Sequence, residues 1–220
     1  SLAMIMYFIR RIGDYNFRIQ KNFGGWQLET IKNIKRSKTL NVGIIGFGRI
    51  GKILSKKLNF IGFNCYYFDP FLKHNKRIKY ASKINSLNKL LNISDVISIN
   101  CTLTNSSKGM VDMSFLKKMK KNCILVNTSR GQVIDNLKIL YKYMNRNKNF
   151  CLGLDVLPEE PPSLKDPLIK IWKSKKFEGR IILNPHTAYY SQESYISMRK
   201  KASENVLLFL KKKRVRNRII

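Results

Sequence analysis

The sequence predicts a doubly wound α/β fold, a parallel sheet with helices on both faces. Three observations carry that prediction. Short apolar runs alternate with helical stretches along the chain, the pattern of strands buried on both sides. The first clear strand, Val42 to Ile45, runs straight into Gly46-Phe47-Gly48-Arg49-Ile50-Gly51, a G-x-G-x-x-G turn. An acidic residue, Asp69, then closes the next strand 18 residues beyond Gly51.

Taken in order, residues 2–12 and 14–22 read as helices, followed by a Gly24-Gly25-Trp26 loop. Leu2 to Ile9 is too short to span a membrane, and Arg10-Arg11 follows the apolar run, whereas a signal peptide carries its charge ahead of it. A buried helix is the better reading. Strands are expected at 42–45, 63–68, 96–100, 123–127, 151–155 and 181–183, with helices at 50–60, 86–91, 113–119, 136–145 and 166–173. Pro158, Pro161, Pro162 and Pro167 mark an irregular loop after Asp155. A last helix, 191–213, carries a stripe of Tyr195, Met198, Ala202, Val206 and Phe209 or Leu210, expected to pack into a core.

The formal charge is +30, from 43 basic and 13 acidic residues, a balance that ordinarily points to nucleic acid. Here the charge follows composition instead. Lys, Asn and Ile number 30, 21 and 26 of 220 residues and are scattered along the chain. The short clusters at Lys117-Lys118, Lys120-Lys121, 173–176 and 211–218 read as solvated surface. No specific nucleic-acid partner and no membrane partner is expected. Cys65, Cys101, Cys123 and Cys151 form no C-x-x-C pair and sit in or beside strand-like runs. Reduced, buried thiols of a cytoplasmic protein account for them better than disulfides or zinc, so no metal site is expected.

Each glycine of the 46–51 turn has a mechanical role. Gly46 permits the tight turn, Gly48 has no side chain to block a pyrophosphate, and Gly51 lets the next helix approach the sheet. Asp69 stands where a carboxylate can accept hydrogen bonds from the adenosine ribose and repel a 2′-phosphate, favouring NAD over NADP. In such sheets ligands bind beyond the carboxyl ends of the strands. Those ends carry Asn100-Cys101-Thr102, Asn127-Thr128-Ser129-Arg130-Gly131, Asp155 and Asn184-Pro185-His186. Arg130 can grip a carboxylate bidentately. His186, one of two histidines, lies in an extended or turn segment, and Glu159 or Glu160 could orient it; an imidazole with an acidic partner is an acid–base pair for near-neutral pH. Thr128 and Ser129 could equally serve to turn the chain.

Four ordered segments, 43–51, Val126 to Gly131, Leu154 to Pro161 and Asn184-Pro185-His186-Thr187-Ala188, together resemble the D-isomer-specific 2-hydroxyacid dehydrogenases. Residues 186–194 look most like the branch containing the C-terminal-binding proteins. The resemblance implies a Rossmann-type NAD-binding domain over 23–188, linker helices over 1–22 and a C-terminal helix over 189–220. It implies an NAD-dependent oxidoreductase that interconverts a 2-oxoacid and a D-2-hydroxyacid by hydride transfer, or alternatively an NAD-sensing co-regulator, and in either case a homodimer. His186 would be the acid–base, Glu160 its partner, and Arg130 the substrate-carboxylate ligand. The cofactor would be lined by Gly46, Phe47, Gly48, Arg49, Ile50, Gly51, Asp69, Cys101, Thr102, Leu103, Thr128, Ser129, Arg130, Asp155, His186 and Ala188. Thr102 stands where the family usually has proline or another loop-forming residue. The chain begins at Ser1 inside the first linker helix, so the expectation is a fragment whose substrate domain, roughly 100 residues, is largely missing.

Overall fold

The computed structural model describes residues 1–23, 26, 34–72, 78–177 and 179–216. Gly24 and Gly25 of the expected loop, and the end of the last basic cluster, lie outside these. Two compact units are formed, Ser1–Pro185 and His186–Ile220.

The first unit holds a seven-stranded parallel sheet. Its strands are β1 (Asn41–Ile45), β2 (Asn64–Phe68), β3 (Ser82–Lys83), β4 (Val96–Ile99), β5 (Ile124–Asn127), β6 (Cys151–Leu154) and β7 (Ile181–Leu183). They lie in the order β3-β2-β1-β4-β5-β6-β7. The order reverses between β1 and β4, which opens a crevice at the carboxyl edge there. Register aligns that edge: Ile45 pairs with Phe68 and with Ile99, Ile99 with Asn127, Asn127 with Leu154, and Leu154 with Leu183. The residues that follow these strands therefore share one rim. The two-residue β3 escapes sequence reading because so short an edge strand has no alternation to detect.

Side chains alternate between two cores. Val42, Ile44, Cys65, Tyr67, Val96, Ile124 and Val126 face α1 (Leu2–Ile9) and α3 (Arg49–Phe60). Ile97, Ile99, Leu125, Leu152 and Leu154 face α4 (Leu87–Ile93), α5 (Met113–Lys118), α6 (Leu137–Arg146) and α7 (Pro167–Lys173). Local chemistry starts these helices. Ser86, Asp112, Asn136 and Asp166 each accept a hydrogen bond from a backbone N–H of the first turn.

The expected buried first helix is observed. Ile5 is fully buried and Phe8 is 1% exposed, against β5 and β6; Phe8→Ala would cost about 3–5 kcal/mol. It ends at Ile9, short of the expected residue 12, because Arg11 takes a left-handed φ of 53°, and α2 (Ile12–Lys21) starts there. Arg11 Nε pairs with Asp14 at 2.6 Å. Burial pushes the Asp14 carboxyl up, opposed by Arg11, Arg18 and Arg180.

The second unit consists of α8 (Gln192–Leu210) and its flanking loops. Ser191 and Ser194 close a reciprocal capping box at its start. The core stripe expected on this helix is not a core. Tyr195, Met198, Val206, Phe209 and Leu210 are exposed, Phe209 by 72%. Within its own unit no second described element packs against the stripe, and Ile196 and Leu207 are exposed as well. Among the described residues no helix is long and apolar enough to cross a membrane.

Candidate active site and cofactor cleft

The glycine-rich turn leaves β1 at the point where the strand order reverses. Gly46 has a φ of +87°, and a Cβ there would stand 2.5 Å from the Cα and N of Cys101. The exits of β1 and β4 thus touch through the missing side chain. At Gly51 a Cβ would lie 2.3 Å from the carbonyl oxygen of Gly46, so this residue sets how closely α3 meets the strand. Gly48 behaves differently. It has an ordinary φ of −73°, and a Cβ would meet nothing within 4 Å. Neither conformation nor packing inside the protein requires glycine at 48. It also caps α3 without a side-chain hydrogen bond, leaving the helix's first N–H groups and positive dipole end open to an anion. The residues present fit a dinucleotide pyrophosphate.

Around that turn, the side chain of Phe47 is fully buried and stacked on Tyr67 at 3.8 Å, so it can serve a ligand only through its backbone. Arg49 and Ile50 are exposed. Asp69 bridges the rim: Oδ2 accepts from the Phe47 N–H at 2.8 Å and Oδ1 from the Phe71 N–H at 3.0 Å. Its carboxylate is fixed beside the turn, with lone pairs left for hydroxyl donors.

At the exit of β4, Cys101 and Leu103 are half-buried and Thr102 is exposed. Burial pushes the Cys101 thiol up, which keeps it protonated. Ser107 replaces the rigidity a proline would give: its Oγ donates to the Thr102 carbonyl and accepts from the Thr104 N–H, both at 2.8 Å. Asn100 donates to Ser98 Oγ at 3.0 Å, while its Oδ1 is buried with no hydrogen-bond partner. Sequence reading notes Asn100 at the strand end but gives this orphaned acceptor no role.

The β5 exit is organised by Asn127, fully buried. Its Nδ2 donates to the Arg130 carbonyl at 2.9 Å, and its Oδ1 accepts from Ser129 N at 3.0 Å and Ser129 Oγ at 2.9 Å. Sequence reading notes Asn127 at the strand end but gives it no role; its signal is an Asx residue opening a turn. Ser129 spends its hydroxyl on this turn, and Thr128 Oγ1 meets Ser1 Oγ at 2.7 Å. Arg130 is exposed and its Nη1 donates to the Ser129 carbonyl at 2.7 Å. Behind it, a Cβ on Gly131 would stand 1.8 Å from the Leu157 carbonyl oxygen, so the β5 and β6 exit loops are in contact. In the β6 loop Asp155 is 2% exposed. Glu160 accepts from the Leu157 N–H at 2.8 Å through Oε1, while Glu159 is exposed.

Asn184, after β7, donates its N–H to the Leu154 carbonyl at 2.8 Å. The first unit thus brings Gly46 to Gly51, Asp69, Cys101 to Leu103, Thr128 to Arg130, Asp155 and Glu160 onto one rim. His186 and Ala188 belong to the second unit. His186 is held at a left-handed φ of 55°, uncommon for a residue with a side chain, and its ring meets Tyr189 edge-on at 6.2 Å.

Residues 2–188 match the family model described as D-isomer specific 2-hydroxyacid dehydrogenase, NAD binding domain. A glyoxylate reductase of Korarchaeum cryptofilum is 34% identical over 168 residues, 76% of this chain and 48% of that protein. An erythronate-4-phosphate dehydrogenase of Wigglesworthia glossinidia brevipalpis is 42% identical over 124 residues, 54% of this chain and 32% of that protein. Among solved structures, a D-lactate dehydrogenase from Aquifex aeolicus, complexed with NAD and lactic acid, superposes with a TM-score of 0.83 at 27% identity, covering 96% of this chain and 65% of that one. The chain spans about half the length of the first of these relatives. None of the three is named as a C-terminal-binding protein. With a fold, a glycine-rich turn and a family model that agree over residues 2–188, the chain belongs to the D-isomer-specific 2-hydroxyacid dehydrogenases, within their NAD binding domain.

Proposed function

We propose that the protein containing this chain is an NAD-dependent oxidoreductase that interconverts a small 2-oxoacid and its D-2-hydroxyacid. The observation that carries the reading is the rim itself: six strand ends in register present a glycine-rich turn opening a helix, a fixed carboxylate and an arginine. The named relatives add that glyoxylate is a 2-oxoacid, while lactate and erythronate are 2-hydroxyacids. A bound NAD supplies the hydride acceptor or donor. Gly46 to Gly51 hold its pyrophosphate, Asp69 its adenosine ribose, and residues 101–103, Thr128, Ser129, Asp155 and Ala188 line it.

Arg130 binds the substrate carboxylate and orients the 2-carbon. His186 holds or moves the proton at the 2-oxygen, and the family resemblance assigns Glu160 as its acidic partner. The left-handed backbone of His186 supports this role, because such strain gathers where a side chain must be aimed. His186→Ala is expected to lower turnover at least about 100-fold on every active 2-oxoacid. Arg130→Ala should raise KM for the oxoacid and slow turnover while NADH affinity stays nearly unchanged. Wild-type turnover in His186→Ala would refute the assignment.

The compartment we propose is the cytoplasm, given four cysteines without a disulfide. We also propose a homodimer. The exposed Phe23 and Trp26, 71% and 59% accessible, support it; α1 does not, since its apolar residues are spent on the core. Sedimentation showing monomer alone at micromolar concentration would overturn the dimer.

A further inference from the structure

At the amino edge of the sheet, the end away from the glycine-rich turn, lies a cavity of about 470 Å³, within the range of small-ligand sites. Its floor is apolar. Phe63 and Ile9 are 1% and 8% exposed, with Met6 half-buried beside them. Its rim carries Arg10 from the end of α1 and Lys35, Arg36 and Lys38 from the approach to β1. Among the described residues, no acidic one lines it. None of these four cations is ion-paired among the described residues.

The frame is built rather than loose. Residues Ser37–Thr39 form a 3₁₀ turn. Ser37 Oγ donates to the Ile61 carbonyl at 2.8 Å, and Thr39 Oγ1 donates to the Arg36 carbonyl at 2.9 Å. Asn64 donates from Nδ2 to the Lys38 carbonyl at 3.1 Å and from its N–H to the Leu40 carbonyl at 3.1 Å. Arg36 and Lys38 therefore project from a turn tied to the start of β2. Like charges converging on one concavity repel one another and concentrate positive potential there. An anion relieves that repulsion, and a non-polar body attached to it gains by leaving water for the apolar floor. Other lysines stand differently: Lys117 and Lys118 project from the exposed side of α5, and Lys120 is paired with Asp95 at 2.9 Å.

We propose that this cavity binds a small organic anion, a phosphate or carboxylate head on an aromatic or apolar body, at a site separate from the dinucleotide cleft. The head engages the guanidinium and ammonium groups, of which arginine gives the bidentate contacts; the body covers Phe63 and Ile9. The test uses the chain labelled at its methionine methyl groups, saturated with NADH and titrated with phenyl phosphate. The expected result is a saturable shift of the Met6 methyl resonance, with inorganic phosphate binding more weakly because it lacks the body. The double variant Arg36→Gln/Lys38→Gln should weaken phenyl phosphate at least about tenfold, the scale of one charge-assisted hydrogen bond lost. Arg10→Gln, on a different element, should weaken it as well. Lys117→Gln/Lys118→Gln removes the same charge from α5 and should leave binding unchanged. NADH affinity, measured in every variant, should stay at the wild-type value and reports that each is folded. A Met6 methyl that does not move, a shift that does not saturate, equal binding of the two phosphates, or equal weakening by the α5 variant would each overturn the site.

Discussion

Gly48→Ala separates ligand binding from folding. Nothing in the protein lies within 4 Å of the added methyl group, and a φ of −73° suits alanine. Two small effects on stability then oppose each other. Alanine is a poorer helix N-cap than glycine, by about 0.5–1 kcal/mol, but it restricts the unfolded chain, a gain of about 0.4–1 kcal/mol. The net change should stay within about 1 kcal/mol. For a pyrophosphate closing on the first N–H groups of α3, the same methyl is an obstruction. Overpacking of that kind costs about 1–3 kcal/mol, which converts to a Kd raised about 5- to 150-fold. Gly51→Ala is the counterpart. Its Cβ would stand 2.3 Å from the Gly46 carbonyl oxygen and 3.2 Å from Ile44 Cγ2, so it should lose about 1–3 kcal/mol of stability before any ligand is added. Urea unfolding measures the first quantity and NADH fluorescence titration the second. If Gly48→Ala bound NADH as tightly as the wild type, or unfolded more easily by over about 2 kcal/mol, the placement of the pyrophosphate at that glycine would be wrong.

Other outcomes follow from the same rim and core. Asp69→Arg should narrow or reverse a preference for NADH over NADPH, and should also lower stability, since the Phe47 and Phe71 N–H groups lose their acceptor; equal affinities for both cofactors in the unmodified chain would remove the ribose role. Asn127→Ala leaves the Arg130 carbonyl and the Ser129 N–H without their buried partner and should cost about 1–3 kcal/mol; an unchanged urea midpoint would show that water replaces the side chain. Burial pushes the Cys65 thiol from its usual 9.0 up to about 12 and Cys151 up to about 11. A thiol that ionises more readily when unfolded stabilises the fold below pH 9 and loses that contribution as pH rises toward the folded value. Unfolding midpoints should therefore fall above pH 9, less steeply in Cys65→Ala; identical slopes would argue against the buried, protonated thiol.

Much of this architecture is legible in the residues alone. Val42 to Ile45 and Ile124 to Asn127 announce themselves as strands because both faces are covered, so nearly every residue is apolar. The glycine-rich turn and Asp69 are legible because their spacing is set by backbone geometry. What escapes is whatever depends on distant contacts. Arg11 ends α1 through a left-handed residue, while the glycine that marks a break in the sequence, Gly13, lies two positions later and inside α2. The α8 stripe has helical spacing, but spacing says nothing about whether a partner exists to cover it. Asn127 and Ser107 act through loop hydrogen bonds to residues two to five positions away, chemistry that any asparagine or serine could hold in reserve.

The contact between Gly131 and the Leu157 carbonyl has a consequence for how this site can change over time. Arg130 precedes that glycine, and the Leu157 amide on the other side of the contact holds the Glu160 carboxylate. The guanidinium and the carboxylate are thus two ends of one backbone linkage. A lineage that needs a wider cleft cannot acquire it by enlarging residue 131, because the first added carbon displaces the loop carrying the acid. Diversification is pushed to positions outside the joint, and a redesign of substrate preference should leave the joint alone.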